Sequence, residues 1–169
     1  LKAHRGFWMY LIVFVAMLAI DQISKVWVRA EFAPHQSTPL IPGIFELTLT
    51  YNEGIACGLF KGAGVLFAPI AIVIAFGSGW YSMRHPQEKR LGHFALGMLA
   101  AGAIGNLIDR LWLGKVTDMF YIRAIDFPVF NWADSCITVA AVLLGARWVM
   151  DGRHHEKAEK PVPTSVSEG

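Results

Sequence analysis

Four long apolar runs, near residues 6–28, 63–83, 91–112 and 133–150, constrain this chain more than any other feature. Each is close to the roughly 20 residues that a helix needs to cross about 30 Å of hydrocarbon. With 169 residues in all, little chain is left over for a soluble core. Only 17% of the residues are charged, against about 25% in a soluble domain. The expected fold is an all-α membrane protein, with four transmembrane helices in one domain over residues 1–150. The tryptophans agree with those boundaries. Trp8, Trp27, Trp80, Trp112, Trp132 and Trp148 all fall at or near the ends of the runs, where an amphipathic indole sits at headgroup level. The first run follows Lys2 and Arg5 as a signal peptide would, yet no small-x-small cleavage site comes after it. It continues through Asp21, Gln22 and Lys25 to Trp27, which predicts a retained helix.

Basic residues set the expected orientation. Lys2 and Arg5 precede the first run, Arg84, Lys89 and Arg90 separate the second from the third, and Arg147, Arg153 and Lys157 follow the fourth. The positive-inside rule makes these segments cytoplasmic, with both termini inside. Residues 29–62 and 113–132 carry less positive excess and are expected to face outward. Within the first of these loops, Phe45 to Tyr51 alternates apolar and polar residues, the pattern of a half-buried strand. A small extracytoplasmic β-sheet is therefore expected between the first and second spans, over about residues 40–62. Lys115 to Phe120 reads as a further extended run. Gly92, Gly97, Gly102 and Gly105 in the third run let a neighbouring helix backbone approach. Cys57 and Cys136 match no zinc spacing; a bridge between them on the outer side is one reading, and two apolar-packed thiols the expected one. The polar stretch 151–169 reads as a disordered cytoplasmic tail. A net charge of +2 gives no reason to expect nucleic acid.

Ionisable groups inside a span are costly and mark either function or a paired structural site. Asp21 and Lys25 lie late in an outward-running first helix, and Asp109 and Arg110 late in an outward-running third. Asp118 lies in the loop that follows, and Asp134 opens the inward-running fourth helix. All are therefore expected at one depth, the outer membrane boundary. Asp21 and Lys25 are spaced i,i+4, and Asn106, Asp109 and Arg110 are spaced i, i+3 and i+4, so each set shares a helix face. Both sets read as internally paired clamps, because buried charges survive by pairing.

Asp118 and Asp134 differ in having no cation at helical spacing. Asp134, taken alone, also fits a plain helix N-cap. Two carboxylates about 3 Å apart cannot both ionise easily, so one holds a proton while the other can deprotonate water. Such a pair is acid and base in one site, and no covalent intermediate is needed. The histidines form no H-E-x-x-H helix, which argues against a metalloprotease. Ser24 and Lys25 are adjacent and point to different helix faces, and Ser78 has no base on its span.

Five motifs follow one another along the chain: Asp21-Gln-Ile-Ser-Lys25, Tyr51-Asn-Glu-Gly54, Gly105-Asn-Leu-Ile-Asp-Arg110, Val116-Thr-Asp118 and Phe130-Asn-Trp-Ala-Asp-Ser135. In this order, on a four-span frame, they resemble bacterial lipoprotein signal peptidase, the type II signal peptidase. The resemblance covers the whole chain except its tail. It implies an aspartic endopeptidase of the bacterial inner membrane that removes the signal peptide of diacylglyceryl-modified prolipoproteins, cutting before the lipidated cysteine. The implied catalytic pair is Asp118 and Asp134, near the periplasmic boundary. The implied supporting and substrate-binding residues are Asp21, Lys25, Asn52, Gly54, Asn106, Asp109, Arg110, Asn131 and Ala133. No metal and no organic cofactor are implied. The expected partners are lipid-modified prolipoprotein substrates and membrane phospholipid, and the expected state is a monomer. Two positions depart from the family pattern: Cys57 stands where relatives often carry Phe, and Trp132 where a smaller aliphatic residue is usual.

Two other functions fit parts of the pattern. Membrane carboxylates near Lys and Arg also serve proton relays in small transporters, although relay groups are expected along a path to both sides. Polar clusters can also fix helix register in a non-catalytic assembly factor.

Overall fold

A computed structural model describes residues 5–54 and 68–158. In chain order the elements are α1 (Arg5–Glu31), β1 (Ser37–Ile41), β2 (Phe45–Asn52), α2 (Ala68–Arg84), α3 (Arg90–Leu113), β3 (Val116–Ile122), a 3-10 turn (Arg123–Ile125) and α4 (Trp132–Ala158). By length and composition α1, α3 and α4 can each cross a membrane. The described part of α2 has 17 residues.

α3 is the axis of the bundle and packs against the other three helices. In its most apolar stretch 72% of the residues are buried by protein, against 22% in α1 and 17% in α4. The sequence explains this central place, because Ala95, Gly97, Ala100, Ala101, Gly102, Ala103 and Gly105 hold neighbouring backbones close. A Cβ on Gly97 would lie 2.8 Å from the Tyr10 backbone oxygen, and one on Gly102 would meet the Ala133 backbone oxygen. Packing is therefore what these two glycines do, as the sequence led us to expect. The outer helix faces carry exposed Ile12, Val15, Phe76 and Val142, a surface that acyl chains cover without the cost of wetting it. None of the tryptophans packs a core, since their exposure runs from 40% at Trp132 to 85% at Trp112.

The sheet is three-stranded and antiparallel in the order β1-β2-β3. Its third strand comes from the segment after α3, so the sheet is not confined to the loop between the first two helices. The expected strand over 45–51 is β2, but its burial does not alternate. Leu47 and Leu49 pack with Val28 and Met119 on one face. On the other face Glu46 and Thr48 are buried too, because Ser37 Oγ donates to Glu46 at 2.6 Å, Arg123 pairs with it, and Thr48 Oγ1 donates to the Gln36 carbonyl at 2.9 Å. Polar partners, rather than solvent, satisfy that face. Pairing of Thr50 with Asp118 carries one candidate acid onto the sheet beside the helix ends.

Cys136 is a free, buried thiol packed with Val13, Ala95, Met98 and Ala140. Cys57 lies outside the described residues, as does the part of the expected β segment beyond Gly54. α4 continues past Gly152 to Ala158, into the stretch 151–169 expected to be a disordered tail. Arg153, Glu156, Lys157 and Ala158 are strong helix formers and carry the helix on. Residues 159–169 lie outside the described residues.

Candidate active site

Where α1, α3 and β3 meet the start of α4, a fully buried ammonium organises the polar side chains. Lys25 Nζ lies 3.0 Å from Asp21 Oδ2 and 3.6 Å from Asp109 Oδ2. It also donates to Asn106 Oδ1 at 3.0 Å and to the Gly105 carbonyl at 3.4 Å. Asp21 does more than hold Lys25. Its Oδ1 accepts the Ala133 backbone N–H at 2.9 Å, and its Oδ2 accepts Gln22 Nε2 at 2.9 Å. A Cβ on Gly105 would sit 2.5 Å from Asp21 Oδ2, so this glycine makes room for a carboxylate as well as for a helix.

The expected Asp109–Arg110 clamp is not how these residues pair. Asp109 takes its cations from α1, with Lys25 at 3.6 Å and Arg29 at 3.4 Å, and its Oδ2 accepts the Thr117 backbone N–H at 2.8 Å. Successive helix residues point about 100° apart, so Asp109 faces α1 while Arg110 turns away. Arg110 donates to the Asn106 and Gly54 carbonyls, each at 3.3 Å, and lies within electrostatic reach of Asp134, Asp118 and, least of the three, Asp109. Among the described residues no ion pair joins it to Asp109.

The start of α4 is a reciprocal cap. Asn131 Oδ1 accepts the Asp134 backbone N–H at 2.9 Å, while Asp134 Oδ2 accepts the Asn131 backbone N–H at 3.2 Å. This is a capping box with Asn131 at the N-cap and Asp134 at the third helical position. The plain N-cap considered for Asp134 thus belongs to Asn131. Asp134 Oδ1 is left to accept Asn106 Nδ2 at 2.7 Å.

Two side-chain amides are oriented by groups that can only donate. Lys25 has no acceptor, so Asn106 presents its oxygen to Lys25 and its nitrogen to Asp134. The Asp134 backbone N–H likewise claims Asn131 Oδ1, which leaves Asn131 Nδ2 to donate to Asp118 Oδ1 at 2.7 Å and to Asn106 Oδ1 at 3.1 Å. Asn52, at the end of β2, also hydrogen-bonds Asp118, and its Oδ1 accepts the Gly54 N–H at 2.9 Å. Burial first, and the Asp134 carboxylate second, push Asp118 from the ordinary 3.8 up to about 7, against the Asn131 hydrogen bond, the Lys25 charge and the Asn52 hydrogen bond.

Every site residue singled out in the sequence falls within this network. Gln22, Arg29 and Thr117 belong to it as well and were missed. Arg29 donates to Thr117 Oγ1 at 2.8 Å, which fixes the residue before Asp118. Its signal was its place four residues after Lys25, on the same helix face. Trp132 stands outside the network, half-exposed, with its ring edge-on to Phe120 at 5.5 Å.

The model of a family described as signal peptidase (SPase) II matches residues 13–150. The chain belongs to the signal peptidase II family. A lipoprotein signal peptidase of Desulfitobacterium hafniense is 38% identical over 141 residues, covering 83% of this chain and 93% of that protein. One from Gloeobacter violaceus is 36% identical over 156 residues, covering 92% of this chain and 87% of that protein. A solved bacterial membrane enzyme, determined by the in meso method at 2.3 Å resolution, superposes with a TM-score of 0.81 at 30% identity, over 90% of this chain and 93% of the other. Signal peptidase II membership makes the chain a protease and a multi-pass protein of the inner membrane. The small transporter and the non-catalytic assembly factor are thereby set aside.

If Lys25 is the hub, Lys25→Met keeps most of the buried stem but strips Asp21 and Asp109 of their shared cation. The expected loss is about 3–5 kcal/mol of stability, the scale for breaking a buried ion pair from one side. Thermal unfolding of the detergent-solubilised protein measures it, and an unchanged midpoint would reject the hub.

Proposed function

We propose that Asp118 and Asp134 are the catalytic pair of an aspartic endopeptidase that removes the signal peptide from diacylglyceryl-modified prolipoproteins, cleaving before the lipidated cysteine. The observation that carries this reading is the pair of oriented amides, with Asn106 aiming a donor at Asp134 and Asn131 aiming one at Asp118. The names of the relatives support the substrate class.

Charge bookkeeping favours one proton on the pair. Lys25 and Arg29 offset Asp21 and Asp109. Arg110 acts on Asp118 and Asp134 without an ion pair to either among the described residues, and Lys25 reaches Asp118 as well. In this mechanism Asp134 is the ionised member, held by the Asn106 amide, the Asn131 N–H and the positive end of α4. Asp118, the more deeply buried member, holds the proton. Asp134 takes a proton from water as the water oxygen adds to the scissile carbonyl carbon, and Asp118 donates to the carbonyl oxygen. When the tetrahedral intermediate collapses, the C–N bond breaks and the leaving nitrogen takes the proton from Asp134. Asp118 recovers its own from the hydroxyl as the carbonyl reforms.

The same reading places α2 as a fourth span, both termini in the cytoplasm and the acids near the outer boundary. Its support is the basic excess at the opposite helix ends, including Arg84, Arg90 and Arg147.

Asp118→Asn and Asp134→Asn should each abolish precursor cleavage in a gel-shift assay while the protein stays folded, because an amide keeps the shape but cannot exchange the proton. Substantial turnover by either variant would remove that residue from the pair.

The pH profile follows from Asp118. With its folded value raised to about 7, the neutral acid persists below that point and is lost above it. Cleavage should fall about tenfold per unit as pH rises past about 7. The stability from keeping Asp118 neutral is fully present below the ordinary 3.8 and is lost as pH rises from there through about 7. A rate that stayed flat well above pH 7 would contradict a proton held on Asp118.

Orientation has its own test. In a background with Cys57 and Cys136 changed to Ala, Thr38→Cys should react with a membrane-impermeant thiol reagent in intact cells, and Glu88→Cys should not. The reverse pattern would put the acids on the cytoplasmic side and remove them from exported substrates.

A further inference from the structure

Away from the carboxylates, α1 and α2 enclose an apolar groove of about 410 Å³ lined by Phe7, Tyr10, Phe14, Phe76, Trp80 and Met83. Its volume lies in the range of about 300–1,000 Å³ typical of ligand sites. One wall is a ladder of α1 rings. Phe7 and Tyr10 stack at 5.9 Å and 11°, and Tyr10 and Phe14 at 6.2 Å and 3°. The Tyr10 hydroxyl donates to the Ala75 carbonyl at 3.3 Å, so the polar atom of that wall is spent within the protein. The facing wall is open, with Phe76 75% exposed and Trp80 57% exposed. None of these side chains hydrogen-bonds the carboxylate network.

The end of the groove is cationic. Arg84, the last residue of α2, holds its guanidinium over the Trp80 ring, 4.2 Å from the centroid. Arg84 is exposed and has no ion pair among the described residues. Glu88, the acidic residue that follows it along the chain, is already engaged by Arg147 and by Tyr81. Arg5 opens α1 two residues before Phe7 and likewise has no ion pair among the described residues. An apolar slot within the helices that ends in an uncompensated guanidinium at their boundary has the shape and polarity of an acyl chain joined to an anionic headgroup.

We propose that this groove binds an anionic membrane phospholipid, with one acyl chain against the aromatic walls and its phosphate on Arg84. A guanidinium takes phosphate oxygens in a fork while its face stays on an indole, so the stack with Trp80 preorganises the site rather than competing for it. The site is independent of the peptidase reading and of the orientation proposed above.

Trp80 supplies the probe. The full-length protein is reconstituted in bilayers of phosphatidylcholine and phosphatidylglycerol at constant total lipid, with brominated chains on one lipid or the other. The Trp80 component is the quenching that Trp80→Phe removes. Brominated phosphatidylglycerol should quench it with an apparent affinity about fivefold above that of brominated phosphatidylcholine, the scale for one basic side chain at an anionic surface. Arg84→Gln should abolish that preference, and Arg84→Lys should keep most of it. Arg84 is exposed at a helix end, so neither change threatens folding, and precursor cleavage checks that. Equal quenching by both lipids, or a preference that survives Arg84→Gln, overturns the proposal. Weak quenching by either lipid also overturns it, and means that protein, a second copy or another segment of this chain, covers the groove.

Discussion

The structure depends on one ammonium group held away from water. Burying Lys25 is tolerable only because Asp21, Asp109, Asn106 and the Gly105 carbonyl surround it, since an isolated charge in a dry interior would be driven neutral. Those acceptors belong to α1 and α3. The same two carboxylates reach onward, Asp21 to the first turn of α4 and Asp109 to the start of β3. One ion therefore sets the relative positions of all the elements that carry the proposed catalytic pair.

That arrangement sorts the charges into two groups. Asp21 and Asp109 are matched at close range by Lys25 and Arg29. Asp118 and Asp134 have no ion pair among the described residues; Arg110 acts on both, and Lys25 on Asp118, at longer range. Burial first, and repulsion from Asp134 second, raise Asp118 into the neutral range.

Much of this was legible in the sequence, and the misses have physical causes. The i,i+4 pair of Asp21 and Lys25 formed as spacing said it should, because both residues lie on one helix and local geometry decides. The same argument failed for Asp109 and Arg110, since a neighbouring helix offered Asp109 two cations and spacing along one helix cannot register another. β2 was visible from its alternation, but the burial of Glu46 and Thr48 was not, as their partners Arg123 and Gln36 lie elsewhere in the chain. β3 lacked a clear alternation and showed only as an extended run. Gly105 looked like any other helix-packing glycine, and its space for a carboxylate appears only when α1 is laid against α3.

The capping box at the start of α4 bears on when activity can begin. Asn131 and Asp134 come from the last helix of the bundle to be synthesised, and the bond from Asp21 to Ala133 spans 112 residues of chain. Until that helix is in place, Asp118 lacks both its neighbouring carboxylate and its amide donor. In the proposed mechanism, a nascent chain with only its first helices inserted lacks the acid pair and cleaves neither other proteins nor itself. On that proposal, seating α4 does for this fold what removal of a propeptide does for a secreted protease.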